Sequence, residues 1–375
     1  MLKKFAVITL TLILSLTCLG NFSACKKQQT ITDLGIPSAI TFETGEMARC
    51  AWDIKVWKNK LYVGSGDYSK NTGPTEIYSY DLNKKEWTVS GIVPDEAIIR
   101  FNVIDKRLII PGTDPMEDWE LGNYYELKDG EWQVHRVLPN AVHTFDVIKY
   151  KNLVVAGIGT DGLHLPTVAS TDKGQTFSPI DFFKDGQPYD LTQYEYSRAY
   201  ELFVFKNKLY ALVYHKCFEG GFTIELFEFI DGAFHFVREG NDFFGKIKVS
   251  LNLLNAKAEF KGKFFYSADY LYVTDDLQEI TKVPLPNNEY SSQFKVIGNK
   301  IYILCYQVKN DGQKRYFTTR MYESRKGTEK FKEIFCFDFD APPLCFDKKG
   351  NTYYVGMGDR VTVNDINGTV FEVKA

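Results

Sequence analysis

Seven times along this 375-residue chain, an alternating apolar strand runs into a short polar turn and out into a second apolar strand. Three copies are close: "DIKVWKNKLYV" from Asp53, "ELFVFKNKLYAL" from Glu201 and "FKVIGNKIYIL" from Phe294. Four are looser: "RFNVIDKRLII" from Arg100, "FDVIKYKNLVVAG" from Phe145, "AEFKGKFFYSA" from Ala258 and "LCFDKKGNTYYVG" from Leu344. Their anchors, Leu61, Leu108, Leu153, Leu209, Phe264, Ile301 and Tyr353, stand 37 to 56 residues apart. A hairpin repeated at that interval is a structural unit that cannot bury its apolar face alone and must stack on its neighbours.

Each interval leaves room for about four strands, which is the size of one sheet in a radial array. The expected fold is therefore all-β: a seven-bladed β-propeller of four-stranded antiparallel blades over residues 34–375. The second half of each unit agrees. "IYSYDLNKKEW", "NYYELKDGEW" and "ELFEFIDGAF" read as outer hairpins, with Tyr80, Tyr125 and Phe227 each seven residues before an aromatic, Trp87, Trp132 and Phe234. With 29 Phe and 23 Tyr the composition favours strands. Residues 31–45 are the candidate for a strand that closes the last blade.

The Tyr-to-Trp spacing resembles the kelch repeat, except that "VGSGD" stands where kelch repeats carry a Gly-Gly pair. The stretch "STDKGQTFS" resembles the Asp box (BNR repeat) of sialidase-like propellers, matching at Ser170, Asp172, Gly174, Thr176 and Phe177. That resemblance implies a turn on the outer rim: a carboxylate accepting backbone N–H groups, a glycine free to adopt positive φ, and an aromatic plugging the space between sheets. It points to fold rather than to chemistry.

The chain opens with Lys3, Lys4, an apolar run to Leu19 and "NFSACKK". The run is shorter than a spanning helix, so residues 1–24 read as an export signal. The sequence Phe22-Ser23-Ala24-Cys25 resembles a bacterial lipobox, with Phe22 in place of the usual aliphatic residue. The resemblance implies lipidation of Cys25, a tether over residues 25–33, and a protein held at the cell envelope by its lipid, periplasmic or surface-exposed. Charge is balanced, 45 Lys and Arg against 48 Asp and Glu, which leaves no basic excess for nucleic acid. Cys50, Cys217, Cys305, Cys336 and Cys345 form no Cys-x-x-Cys pair, so neither a metal nor another cofactor is expected, and buried thiols are favoured over a disulfide.

Candidate ligand-binding residues cluster where the innermost strands begin. They are Arg49, Asp53, Arg100, His143, Asp146, Glu195, Tyr196, Arg198 and Glu201, with Asp67 in the long loop "GSGDYSKNTGP". Converging Arg, carboxylate, His and Tyr suit a polar or anionic ligand. Solvated, mutually paired charge in a wet channel is the competing reading. Resemblance to sialidases would make Arg49, Arg100 and Arg198 a carboxylate-binding triad and Tyr196 beside Glu195 a nucleophile. The Arg-Ile-Pro-type motif of that family is absent and one Asp box is present rather than several, so no catalytic residue is assigned. "GIGTDG", Gly157 to Gly162, leads into "LHLPTVAS" rather than a helix, which makes it a turn between strands, not a dinucleotide site. The expected function is a monomeric binding module for a glycan, a peptide or an envelope protein. The alternatives are an exo-acting glycoside hydrolase or polysaccharide lyase using channel carboxylates, and a scaffold in an envelope complex.

Overall fold

The computed structural model describes residues 29–37, 50–66, 73–115, 120–240, 243, 254–312, 314–359 and 365–375. Cys25, Arg49 and Asp67 lie outside them. The chain is a β-propeller, with no α-helix among the described residues. Five sheets have four strands each. The first runs Asp53–Trp57, Lys60–Gly64, Thr75–Asp81, Glu86–Val93, and the second Asn102–Ile104, Arg107–Pro111, Leu121–Lys128, Glu131–Pro139. A ten-stranded sheet follows. It holds two successive antiparallel meanders, one from His143–Tyr150 to Ser178–Pro179 and one from Tyr194–Phe205 to Ala233–Glu239, fused where Gly159 pairs with Arg198 and Thr160 with Ser197. Three more four-stranded sheets start at Ala256–Phe260, Tyr290–Ile297 and Pro343–Lys349.

The fusion has a local cause. A Cβ on Gly157 would lie 2.4 Å from the Ala199 carbonyl oxygen, so only glycine lets the two meanders approach and pair. Gly157 and Gly159 thus sit within the strand Leu153–Thr160, not in the turn the sequence suggested. The repeated hairpins turn as their residues dictate. Asp105-Lys106 and Lys206-Asn207 both take positive φ at two successive positions, as do Asp129-Gly130 and Asp231-Gly232 in outer hairpins, the geometry of tight turns that match strand twist.

Aromatic rings fill the spaces between sheets. Trp132 of the second sheet stands edge-on to Tyr62 of the first, 5.9 Å between centroids, and Phe203 stacks on Phe264 of the next sheet at 4.3 Å. The seven-residue spacing gives two registers. Tyr80 lies opposite Trp87, but Trp132 lies opposite Leu127 and Phe234 opposite Phe229, because those turns are two residues tighter.

The last sheet is closed by the N-terminal segment. Thr30–Asp33 pairs antiparallel with Val370–Lys374 as its outermost strand. Gln29 bonds both backbone groups of Cys336 on one side, and Trp87 Nε1 donates to the Leu34 carbonyl at 2.6 Å on the other. The sheet therefore begins at Thr30, inside the span read as a tether. The strand overlaps the start of the span 31–45 expected to close the last blade, but four exposed residues carry too little apolar alternation to fix its bounds.

In the stretch Ser170–Phe177, Ser170 Oγ accepts the Gly174 N–H at 2.8 Å, and Asp172 Oδ1 accepts those of Gln175 and Thr176 at 3.0 and 2.9 Å. Gly174 has φ +94°, and its carbonyl accepts the Tyr124 hydroxyl of the preceding sheet at 2.9 Å. The same hydroxyl-centred turn recurs twice without that sequence pattern. Thr274 Oγ1 accepts the Leu277 N–H at 2.9 Å, and Ser324 Oγ accepts that of Gly327 at 2.9 Å. One hydroxyl and one residue at positive φ suffice, so the full motif need appear only once.

Candidate functional site

In the four-stranded sheets the innermost strand has one edge with no ladder partner, and in the fused sheet Tyr194–Phe205 is paired on that edge at Ser197 and Arg198 alone. Acidic and amide side chains on these strands bond across to the neighbouring sheet. Asp53 Oδ2 accepts the Phe101 N–H at 2.9 Å, Asp146 Oδ2 that of Leu202 at 3.2 Å and Glu201 Oε1 that of Leu254 at 2.7 Å. Gln293 Oε1 accepts from Phe346 at 2.8 Å and Asp347 Oδ2 from Val56 at 2.8 Å. Each is a latch from one sheet to the next around the ring. β-Bulges aim three of them, with register shifts between Thr144 and Asp146, Ala199 and Glu201, and Ser291 and Gln293. The extra residue lets Phe145 and Tyr200 enter the core while the following carboxylate turns to the hub.

Four of the sequence-predicted residues therefore do converge: Asp53, Arg100, Asp146 and Glu201. Arg100, Asp146 and Glu201 converge on one another, while Asp53 is held by the Ile54 and Phe101 N–H groups and by Gln293. Arg100 binds Glu201 through both nitrogens, at 3.2 and 2.9 Å, and Asp146 at 3.1 Å. Lys257 bonds both carboxylates from the other side. The cluster is neutral and buried, with Glu201 0% and Asp146 1% exposed. Burial works against ionising Asp146, but Lys257 and Arg100 outweigh it and hold its carboxyl below the ordinary value. A carboxylate held this way is a poor proton donor or nucleophile. Lys257 and Gln293 escaped the sequence reading. Gln293 was findable, because it stands eight residues before Ile301, as Asp53 does before Leu61 and Glu201 before Leu209.

The remaining predicted residues lie apart from the hub, on the face where loops lead into the innermost strands. Arg198 lies over the Tyr196 ring at 4.4 Å, and Tyr196 stacks on Tyr214, which stacks on Phe222 at 5.1 Å. Glu195 is exposed in a bulge. Arg100 and Arg198 thus serve different neighbours rather than sharing one carboxylate site. His143 is buried with Asp114 at 4.0 Å, and burial, with Arg198 adding to it, pushes its pKa down to about 3.

Two features, one apolar and one aromatic, dominate this loop face. Phe218 and Leu163 are 67% and 72% exposed, close in the chain to Phe222 and Asp161 respectively, in the loops beside the Arg198 stack. Across the hub, Tyr270, Tyr290 and Tyr306 form a ladder, 5.0 and 5.3 Å between centroids, with Phe317 edge-on at its end. Lys282 lies 3.1 Å from the Tyr270 centroid and Arg315 lies over Phe317. The ladder borders a groove of about 360 Å³ that Asn255, Asp269, Arg315 and Asp359 also line. None of these groove residues was singled out in the sequence, because tyrosines spread over two strands and a loop carry no local motif.

One further cluster has the outline of a nucleophile relay. Ser197 Oγ lies 2.8 Å from His215 Nδ1, and His215 Nε2 lies 3.7 Å from Glu225. It is sealed: Ser197 and His215 are 0% and 1% exposed, and the Tyr189 and Tyr194 rings stack on the imidazole. Tyr189 and Lys184 both bond Glu225. Burial, then Lys184, lowers the His215 pKa to about 3, so the ring is neutral near pH 7 and cements three strands. None of the five cysteines outside the N-terminal segment forms a disulfide, and no group of metal-ligating side chains occurs among the described residues.

No family model matches the chain, and no curated protein matches it. Among solved structures it is similar to Saccharomyces cerevisiae Sqt1, at 7% identity over 88% of this chain and 96% of that chain, with a TM-score of 0.43. It is similar to a chain of a mitotic checkpoint complex at 8% identity, over 99% of both chains, with a TM-score of 0.47.

Proposed function

We propose that this protein is a binding propeller that engages a protein or peptide partner through its loop face. The observation that carries this is the aromatic and arginine surface there: exposed Phe218 and Phe222 with the half-buried Arg198–Tyr196 pair on one rim, the half-buried tyrosine ladder on the other. Tyr, Phe and Arg at a surface of this kind match the composition of interface anchors. The hub supports the same reading from the opposite direction, since its carboxylates are occupied as latches and ion pairs, which speaks against hydrolase or lyase chemistry there.

The same proposal includes the finer architecture and the address. The two meanders of the ten-stranded sheet each have a blade's four main strands, which favours counting seven blades. The Ser170–Phe177 turn fits an Asp box in its rim role. The N-terminal sequence favours export and a lipid on Cys25, with the propeller as a monomer. From Cys25 to Thr30 the chain can span at most about 17 Å, so the anchor would keep the rim of the last sheet close to the bilayer.

Photo-crosslinking tests the reading in the source cell. A benzophenone side chain at Phe218 or Tyr306 is expected to capture the same partner, and one at Lys261, in a hairpin turn on the opposite face, to capture none. Equal capture from both faces would contradict the proposal. No capture from the loop face, together with saturable binding of a soluble oligosaccharide, would replace the protein partner with a glycan.

A further inference from the structure

We propose that the groove beside the tyrosine ladder takes an extended, acidic segment of the partner as an added β-strand. The inference rests on the reading that a protein binds the loop face, and it names the mode of binding there.

The hairpin of Lys300–Asn310 and Arg315–Ser324 outruns the strand before it, Tyr290–Ile297. That strand pairs with the hairpin only as far as Tyr306, which lies opposite Tyr290. Residues 307–310 therefore have a ladder partner on one side alone, in residues 315–318. At the hairpin end the Asp311 N–H bonds the Lys314 carbonyl at 3.2 Å. Ladder alternation then turns the N–H and C=O groups of Val308 and Asn310 away from Arg315–Ser324 and onto the open edge. No hydrogen bond fills those groups among the described residues.

Such an edge is a template for a further strand, whose main-chain bonds supply affinity and whose alternate side chains supply specificity. Here the alternate side chains would meet a shaped surface. Tyr306 and Val308, with Phe317 opposite Val308 and Arg315 opposite Asn310, share one face of the hairpin and line the groove of about 360 Å³. Pro343 and Leu344 line it as well, which suits an apolar side chain. Arg315 sets the charge. It is exposed, lies over the Phe317 ring at 4.8 Å, and has no ion pair or hydrogen bond among the described residues. Asp269 and Asp359 also line the groove, but Asp269 accepts the Tyr270 N–H and the Tyr272 hydroxyl, and neither pairs with Arg315. A guanidinium held flat on a ring is preorganised for a carboxylate, so an acidic side chain is the complement this edge lacks.

Fluorescence anisotropy with a labelled hexapeptide of alternating valine and glutamate tests the mode on the full-length protein. The peptide should bind saturably. Glutamine in place of glutamate, or N-methylation along the peptide backbone, should weaken binding about ten-fold or more, the effect of losing a charge-assisted or main-chain bond. Arg315→Met should weaken the glutamate peptide and leave the glutamine peptide unchanged. Val308→Pro should weaken both and still fold, because proline is tolerated where a strand N–H faces outward. The N-methylated peptide makes the same test with the protein unaltered. No saturable binding of the glutamate peptide, equal binding of its N-methylated form, or undiminished binding by Arg315→Met would each overturn the proposal. The loop-face reading is judged apart from it. Undiminished partner capture from Phe218 in Val308→Pro would leave that reading standing and overturn this mode alone, and no capture from Phe218 in the unsubstituted protein would overturn both.

Discussion

Arg100→Met is expected to lower the free energy of unfolding by about 3–5 kcal/mol, the cost of removing one partner from a buried ion cluster. Arg100 makes three contacts to Asp146 and Glu201, and its loss leaves two buried carboxylates facing the single ammonium of Lys257. The penalty is mainly the stranded charge, not the lost hydrogen bonds. Adding Glu201→Gln to Arg100→Met should therefore recover a large part of it. The amide still accepts the Leu254 N–H, and the cluster returns to neutrality through Lys257 and Asp146. Urea unfolding of the single and double variants checks this. A loss below about 1 kcal/mol for Arg100→Met would mean that the hub charges are solvated and the ring is held by its aromatic wedges alone.

The repeated hairpins were legible in the sequence because strand alternation and tight-turn residues are local, and the structure places all seven copies as paired strands. That Asp53, Arg100, Asp146 and Glu201 reach the hub was legible too, from their common place ahead of the hairpin turns. What they do there was not. Whether a carboxylate meets a ligand or a neighbouring N–H depends on β-bulges that shift one residue, and no residue type marks a bulge. A closing strand was expected within residues 31–45, and the observed strand Thr30–Asp33 overlaps the start of that span; its bounds were not legible, because its partner lies at the other end of the chain and its four residues are all exposed. The tyrosine ladder is non-local in the same sense, drawing on two adjacent strands of one sheet and on the loop between strands of the sheet before it.

Stability should fall steadily below pH 6.5, before most carboxylates titrate. His143 and His215 have folded-state pKa values of about 3, both lowered chiefly by burial, against an ordinary value of 6.5. In the unfolded chain each takes a proton near pH 6.5, while the folded chain refuses it until about pH 3. The contribution is thus complete above neutral pH and is lost as pH falls through that window. At pH 5 the two together amount to about 4 kcal/mol, roughly 2 kcal/mol each. Urea midpoints measured from pH 7.5 to pH 4 should show this slope, and His215→Gln should flatten about half of it. An unchanged midpoint between pH 7 and pH 5 would show that these rings reach water in the folded state.

The central claim is that the hub carboxylates hold the ring together while recognition happens on the loop face. The most direct measurement is partner capture through the Tyr306 crosslinker, made in two further backgrounds at a temperature where both are fully folded. Glu201→Gln should capture as much as the parent chain, and Phe218→Ser with Phe222→Ser should capture at most about a tenth, the effect of losing interface anchors worth 1.4 kcal/mol or more. Full capture by the loop-face variant with loss in folded Glu201→Gln would put recognition in the hub and contradict the account.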